Sequence, residues 1–442
     1  MPAPVKIRRS MPSLGSARAA ITGGIAAVLA MGCRADEVPS GPSFPTTPTQ
    51  VVADAGDVPS GETLFAELSR QVPSSAGFFF DPLGRIVVNV SDPQDGPAAA
   101  RAVRAHLDRG DIAVADRASV PIVWRRVGFS YGQLSRLRKA VFDSAFTSMP
   151  GLVTLDLDER RNRVRVGATS QTIGNVRQPL TSLLRRIGAD TLALEIAADA
   201  PLRLSGAWRS PGFFTWTGLL LTADTLVGGL EIGQTSVWGC TLGFTADYSG
   251  VGSGFVSASH CTADIWNVDG RVANQAHNDS QAGTEVVDPG PWNCGLFHLC
   301  RRSDAAFFQA SAGRPTIRGL LARPVALGST NVNSSDPYFI IVGSSNGWDG
   351  QQIYKLGAST GWTSGYVSFT CQDRNLTGFP GNVRTVRCTN ESSNPDIDGD
   401  SGGPLFIPAG GPYVYLSGTT VGAALNGAGT GWSTISQIQL DF

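Results

Sequence analysis

Charge is scarce in this sequence. Only 16% of its 442 residues are Asp, Glu, Lys or Arg, and 35 basic side chains against 36 acidic ones leave a formal net charge of −1. A near-neutral chain has no general electrostatic pull toward nucleic acid or an anionic membrane, so no nucleic-acid partner is expected. Histidine is rarer still, at four, and no Cys-x-x-Cys pair occurs among the seven cysteines. A zinc site or a dithiol redox motif is therefore not expected. The apolar run near the start, Ala19 to Gly32, is too short to span a bilayer comfortably. What remains is a globular composition, 42% apolar, in a chain too long for one ordinary domain.

The near-zero charge hides an asymmetry. Residues 222–442 hold 10 basic and 17 acidic side chains, and the first 221 hold the other 25 and 19. Glycine divides unevenly too, with 33 of 53 after residue 221. Short strands and tight turns are expected there, so two regions of different character follow. At the N-terminus, Lys6, Arg8, Arg9 and Arg18 precede the apolar run, which predicts a signal peptide over 1–32. Leu29-Ala30-Met31-Gly32-Cys33 resembles a bacterial lipoprotein box, which makes Cys33 a candidate for lipidation and a lipid anchor to the membrane. The Pro-, Ser- and Thr-rich residues of 33–60 read as a flexible tether. Removing Cys33 leaves six cysteines, all after residue 221, an even number suited to disulfides in an exported protein.

Residues 61–200 predict a small α+β domain, or two αβ units in tandem. Asp81-Pro82-Leu83-Gly84 turns between two strand-like runs, and Asp95 to Gly110 carries the start and stop signals of a helix. Ser130 and Gln133 form a capping box before Leu134, Leu137 and Val141. Alternation at Val153, Leu155, Leu157 and again at Val164 and Val166 predicts a hairpin. A helix around Thr181–Ile187 and a strand over Leu192–Ile196 follow. No chemistry stands out. His106 reads as a packing or solvated histidine, and the arginines at 160, 161, 163 and 165 as a solvated hairpin, with docking onto the acidic second region the alternative.

The chemistry lies in residues 222–442, after a linker over 201–221. Gly399-Asp400-Ser401-Gly402-Gly403-Pro404 places a hydroxyl on a glycine-flanked turn where backbone N–H groups can converge. Gly254 to Cys261 runs an apolar strand into a His-Cys pair at His260, and Asp304 opens the apolar strand Ala305–Phe308. His277 and His298 lack such a setting. The order His, Asp, Ser is one of three known for such triads. These motifs resemble those of the chymotrypsin-like (trypsin-type) serine peptidases, notably bacterial secreted members related to α-lytic protease. The resemblance implies an all-β double antiparallel barrel preceded by the small α+β domain. It also implies a serine endopeptidase with catalytic residues His260, Asp304 and Ser401, and an oxyanion hole from the N–H groups of Gly399 and Ser401. A protein or peptide is the expected substrate, no cofactor or metal is needed, and a monomer is expected. A non-catalytic surface-binding protein on the same fold is the alternative.

The family reading also implies disulfides Cys240–Cys261, Cys294–Cys300 and Cys371–Cys388, an exported location (extracellular, periplasmic or as an outer-membrane lipoprotein), and an N-terminal pro-domain. That pro-domain would dock in cis and be released by cleavage between Pro201 and Leu226; a permanent accessory domain is the alternative. Leu226-Val227-Gly228-Gly229 is similar to the start of mature enzymes of this kind, or is an ordinary strand-turn. Within Lys355–Gly365, Ala358 stands where bacterial members usually carry the Arg that pairs with the buried Asp of the nucleophile loop, here Asp400. Lys355 or another cation must then substitute, or Asp400 is hydrogen-bonded otherwise. Pro395, six residues before Ser401, removes the usual trypsin-like Asp, so an apolar P1 preference is expected, with Asp396 and Asp398 as possible sources of negative character. Asp396 to Asp400 also resembles the opening of a calcium loop, but Ile407 stands where the bidentate Glu should be. Asn-x-Ser/Thr sequons at Asn89, Asn278, Asn333, Asn375 and Asn390 are expected to go unused.

Overall fold

In the computed structural model the described residues are 61–204, 218–220, 223, 225–234, 238–275, 280–295, 298–376, 383–424 and 429–442. The segments expected to be a signal peptide and a tether, Cys33, most of the expected linker and His277 lie outside them. The first region repeats one plan twice. Helix Gly61–Gln71, strands Ser75–Phe80 and Ile86–Val90, helix Gly96–Arg109 and strand Ile122–Arg126 come first. Helix Tyr131–Val141, strands Leu152–Asp158 and Arg163–Ala168, helix Ile173–Arg186 and strand Leu194–Ala198 repeat the order. In each copy the hairpin is antiparallel and the last strand joins parallel through the helix.

Local chemistry accounts for the boundaries. Ser130 and Gln133 make both bonds of the capping box, and Gly110 ends its helix at φ +94°. The last helix begins eight residues before the expected start at Thr181. Pro179 lies inside it, and the buried face Val176, Leu180, Leu183 and Leu184 outweighs that break. The closing strand is shifted two residues, to Leu194–Ala198.

The second region is β throughout and mostly antiparallel, with parallel pairs such as His298–Arg301 with Val383–Ser392. Seven strands between Glu231 and Ala310 form one sheet, and its core holds Ile232, Cys240, Leu242, Phe255, Cys261 and Phe308. The remaining strands form a larger sheet that does not stop at the expected linker. Strand Gly361–Leu376 pairs with Leu152–Asp158 through Asp373↔Leu155 and Arg374↔Thr154. The hairpin of the first region thus extends the sheet of the second.

Of the four hairpin arginines, Arg161 is exposed as a solvated hairpin requires and Arg163 is half-buried, whereas Arg160 and Arg165 meet side chains of the second region. Arg160 Nε meets Asp349 at 2.7 Å, and the Arg165 guanidinium lies 4.9 Å from the centre of the Phe369 ring. Arg138 and Asp373 add a buried pair at 2.9 Å. His106 is buried, its Nδ1 2.7 Å from Asp111. Of the five sequon asparagines, Asn89, Asn375 and Asn390 are buried, Asn333 is half-buried, and Asn278 lies outside the described residues.

Candidate active site

Three loops deliver the three motif residues to one point. His260 follows strand Gly252–Ala258 in a short 3₁₀ turn, pinned by the disulfide Cys240–Cys261. Asp304 precedes strand Ala305–Ala310, which pairs with the His-bearing strand, Ala258 opposite Ala305. Ser259 N–H also donates to the Asp304 carbonyl at 3.0 Å. Ser401 stands on the turn before strand Pro404–Gly410. Gly402 there has φ +79°, and a Cβ on it would lie 2.1 Å from Ser257 Oγ and 2.6 Å from the Thr241 carbonyl, so only glycine fits.

The resulting geometry is a hydrogen-bonded line. Asp304 Oδ2 lies 2.5 Å from His260 Nδ1, and His260 Nε2 lies 2.8 Å from Ser401 Oγ. Asp304 and Ser401 are completely buried, and His260 is 7% exposed. The Asp304 loop is tied down from the far end of the chain. Asp304 N–H donates to Ser433 Oγ at 2.8 Å, and Ser303 Oγ donates to Asp441 at 2.6 Å. Gly399 adopts φ +98° in the nucleophile loop, and its carbonyl accepts from Thr241 Oγ1 at 2.7 Å.

Asp400 has the substitute cation. Lys355 Nζ donates to Asp400 Oδ2 at 2.6 Å and to Asp396 Oδ1 at 2.9 Å, with all three side chains fully buried. The two carboxylates overcome burial and hold the Lys355 ammonium above its ordinary pKa. Asp400 also accepts from the N–H groups of Ser359 and Thr360 and from Thr360 Oγ1, at 2.7–3.0 Å. Both routes left open by Ala358 are thus used together. Lys355 is one of three lysines in the chain. Asp396 and Asp400 both hold it. Asp398 instead faces Arg203, 3.3 Å away.

His298 lies apart on strand His298–Arg301, buried, its pKa lowered by that burial. Cys294–Cys300 and Cys371–Cys388 are bonded as the resemblance implied. Trp266, Ser433, Thr360 and Asp441 carry no pattern a sequence reading would single out, yet each donates or accepts at the site.

Strand Leu202–Leu204 also belongs here. It pairs antiparallel with Gly422–Ala424, Leu204 opposite Gly422 and Leu202 opposite Ala424. That segment continues from Thr420, whose backbone exchanges hydrogen bonds with Gly402 and Gly403 beside Ser401.

No protein-family model and no curated protein matches the chain. Solved structures do. The chain is similar to Thermobifida fusca protease A at 18% identity and TM-score 0.34, covering 48% of this chain and 92% of that one. A Nocardiopsis protease is similar at 23% identity and TM-score 0.35, covering 49% and 95%. Cellulomonas bogoriensis chymotrypsin is similar at 21% identity and TM-score 0.35, covering 49% and 94%.

Proposed function

We propose that this chain is an exported serine endopeptidase of the chymotrypsin-like class that hydrolyses peptide bonds through an acyl-enzyme. One observation carries the reading: the continuous line Asp304–His260–Ser401, with contacts of 2.5 and 2.8 Å inside a buried site. Ser401 Oγ attacks the scissile carbonyl while His260 Nε2 takes its proton and returns it to the leaving amine. Asp304 fixes the tautomer and stabilises the imidazolium. The N–H groups of Gly399 and Ser401 receive the oxyanion, and losing one such donor costs about 2.7–4 kcal/mol of barrier. Water then hydrolyses the ester by the reverse proton path. Because the Asp396 side chain is fully buried and holds the Lys355 ammonium, that carboxylate is not open to a basic P1 side chain, which supports an apolar P1 preference.

Residues 61–200 act as a pro-region, released by cleavage between Pro201 and Leu226. Supporting this, strand Leu202–Leu204 lies along Gly422–Ala424 as an added strand, the mode in which extended peptides dock on a sheet. Three disulfides favour an oxidising compartment. Lipidation at Cys33 would anchor the released N-terminal part to a membrane. The test is hydrolysis of a peptide library by the processed chain. Cleavage after apolar residues, lost by roughly 10⁴–10⁶-fold in Ser401→Ala, is the expected result. Undiminished hydrolysis in Ser401→Ala would end the proposal, and cleavage chiefly after Arg or Lys would end its specificity part. Residues 222–442 expressed alone should refold more slowly than the full chain; equal rates would remove the folding role of 61–200.

A further inference from the structure

The two oxygens of the Asp304 carboxylate have different partners. Oδ2 faces His260, whereas Oδ1 accepts the indole N–H of Trp266 at 3.1 Å. Trp266 is 1% exposed and sits at φ +66°, a left-handed backbone that a bulky residue adopts only when its surroundings over-determine it. Here they do. The Trp266 backbone N–H donates to Ser259 Oγ at 2.8 Å, and Ser259 Oγ donates to Asp288 Oδ2 at 2.7 Å. Asp288 is ion-paired to Arg301, which is fully buried and also donates to the carbonyl of Ala305, the residue after Asp304. The polar chain thus leaves the triad at Asp304 and returns beside it. Leu202, Leu376, Val386 and Val421 pack around the indole, and the Arg384 guanidinium lies 5.3 Å from the ring centre.

We infer that Trp266 is a positioning residue for the triad: its indole N–H fixes the plane of the Asp304 carboxylate toward His260 and shares the carboxylate's negative charge. The assignment rests on the peptidase reading for the role of His260, but its geometry stands without it. Removing the donor leaves the Asp304 charge to His260 alone, which favours the imidazolium form. Among the described residues, the charged groups around the pair are Asp288 and Arg301 behind Ser259, Asp441 against Arg301 and Ser303, Arg384 over the indole, and Asp264, whose charge acts on Arg384. A change confined to the indole leaves all of them in place.

The experiment is an NMR pH titration of the full chain carrying ¹³C-labelled histidine, with the His260 signal identified by its loss in His260→Gln. In Trp266→Phe the His260 midpoint should move up by about 0.5–1 pH unit relative to the unsubstituted chain. Ser259→Ala loosens the backbone anchor while keeping the indole and should move it the same way by less. If Trp266→Phe fails to fold, Ser259→Ala decides. An unchanged midpoint in the folded variant would overturn the inference. Fluorophosphonate labelling of the same samples separates the two readings. A shifted midpoint with no Ser401 adduct, even after cleavage between Pro201 and Leu226, would overturn the peptidase reading and leave the positioning role standing.

Discussion

At the scale of single residues the geometry around Ser401 depends on buried charge. Lys355 bridges two buried carboxylates with one positive charge, and removing one member of a buried pair costs about 3–5 kcal/mol because the other charge is left unpaired. Lys355→Met should therefore lower unfolding free energy by about that much and displace the nucleophile loop. Denaturant unfolding measures it, and a change below 1 kcal/mol would mean that the hydrogen bonds from Ser359 and Thr360 suffice for Asp400. His260, Asp304 and Ser401 were legible in the sequence because each carries a short local motif. Lys355 was legible only as one option, since spacing does not show which cation reaches a carboxylate 45 residues away. Trp266 was not legible at all. Its indole meets Asp304 across 38 positions, through a loop whose course no periodicity encodes.

At the scale of elements, hairpins and capping boxes could be read because their determinants are local. The pairing of Leu152–Asp158 with Gly361–Leu376 could not, because it joins strands about 200 residues apart and depends on tertiary closure. The same holds for strand Leu202–Leu204, which lay in an expected linker. Leu202 is fully buried among Trp266, Leu376, Val386 and Val421. Leu202→Asp would put an unpaired charge there and should release the strand, raising the rate of Ser401 labelling in the uncleaved chain at least about tenfold. An unchanged rate would show that this strand does not guard the site. The disulfide beside His260 is a second element-scale device. Cys240→Ala with Cys261→Ala reopens a 21-residue separation and should cost about 2–4 kcal/mol on calorimetry.

At the scale of the whole molecule, buried acids lie where the two regions meet. Asp156 is buried with neither carboxylate oxygen hydrogen-bonded, and Glu159 is buried against Thr370. Desolvation raises both well above the ordinary carboxylate range, and it raises Asp349 to about 6 despite Arg160. Groups raised in this way keep their protons to higher pH in the folded chain than in the unfolded one. Their contribution is therefore intact below about pH 4 and is lost as pH climbs through the raised values. The double variant Asp156→Asn with Glu159→Gln should melt higher than the unsubstituted chain at pH 8 and no higher at pH 4, by roughly 2–4 °C per kcal/mol relieved. Melting curves at the two pH values check it; an equal change at both would assign the effect to packing.

The central claim is that Ser401 is a nucleophile activated by His260 and enclosed by the chain's own fold. Mass spectrometry of a fluorophosphonate adduct tests it most directly, on the intact chain and on chain cleaved between Pro201 and Leu226. The expected result is an adduct on Ser401 that forms slowly in the intact chain, rapidly after cleavage, and not at all in His260→Ala. No adduct on Ser401 in either form, or one that persists in His260→Ala, would contradict it.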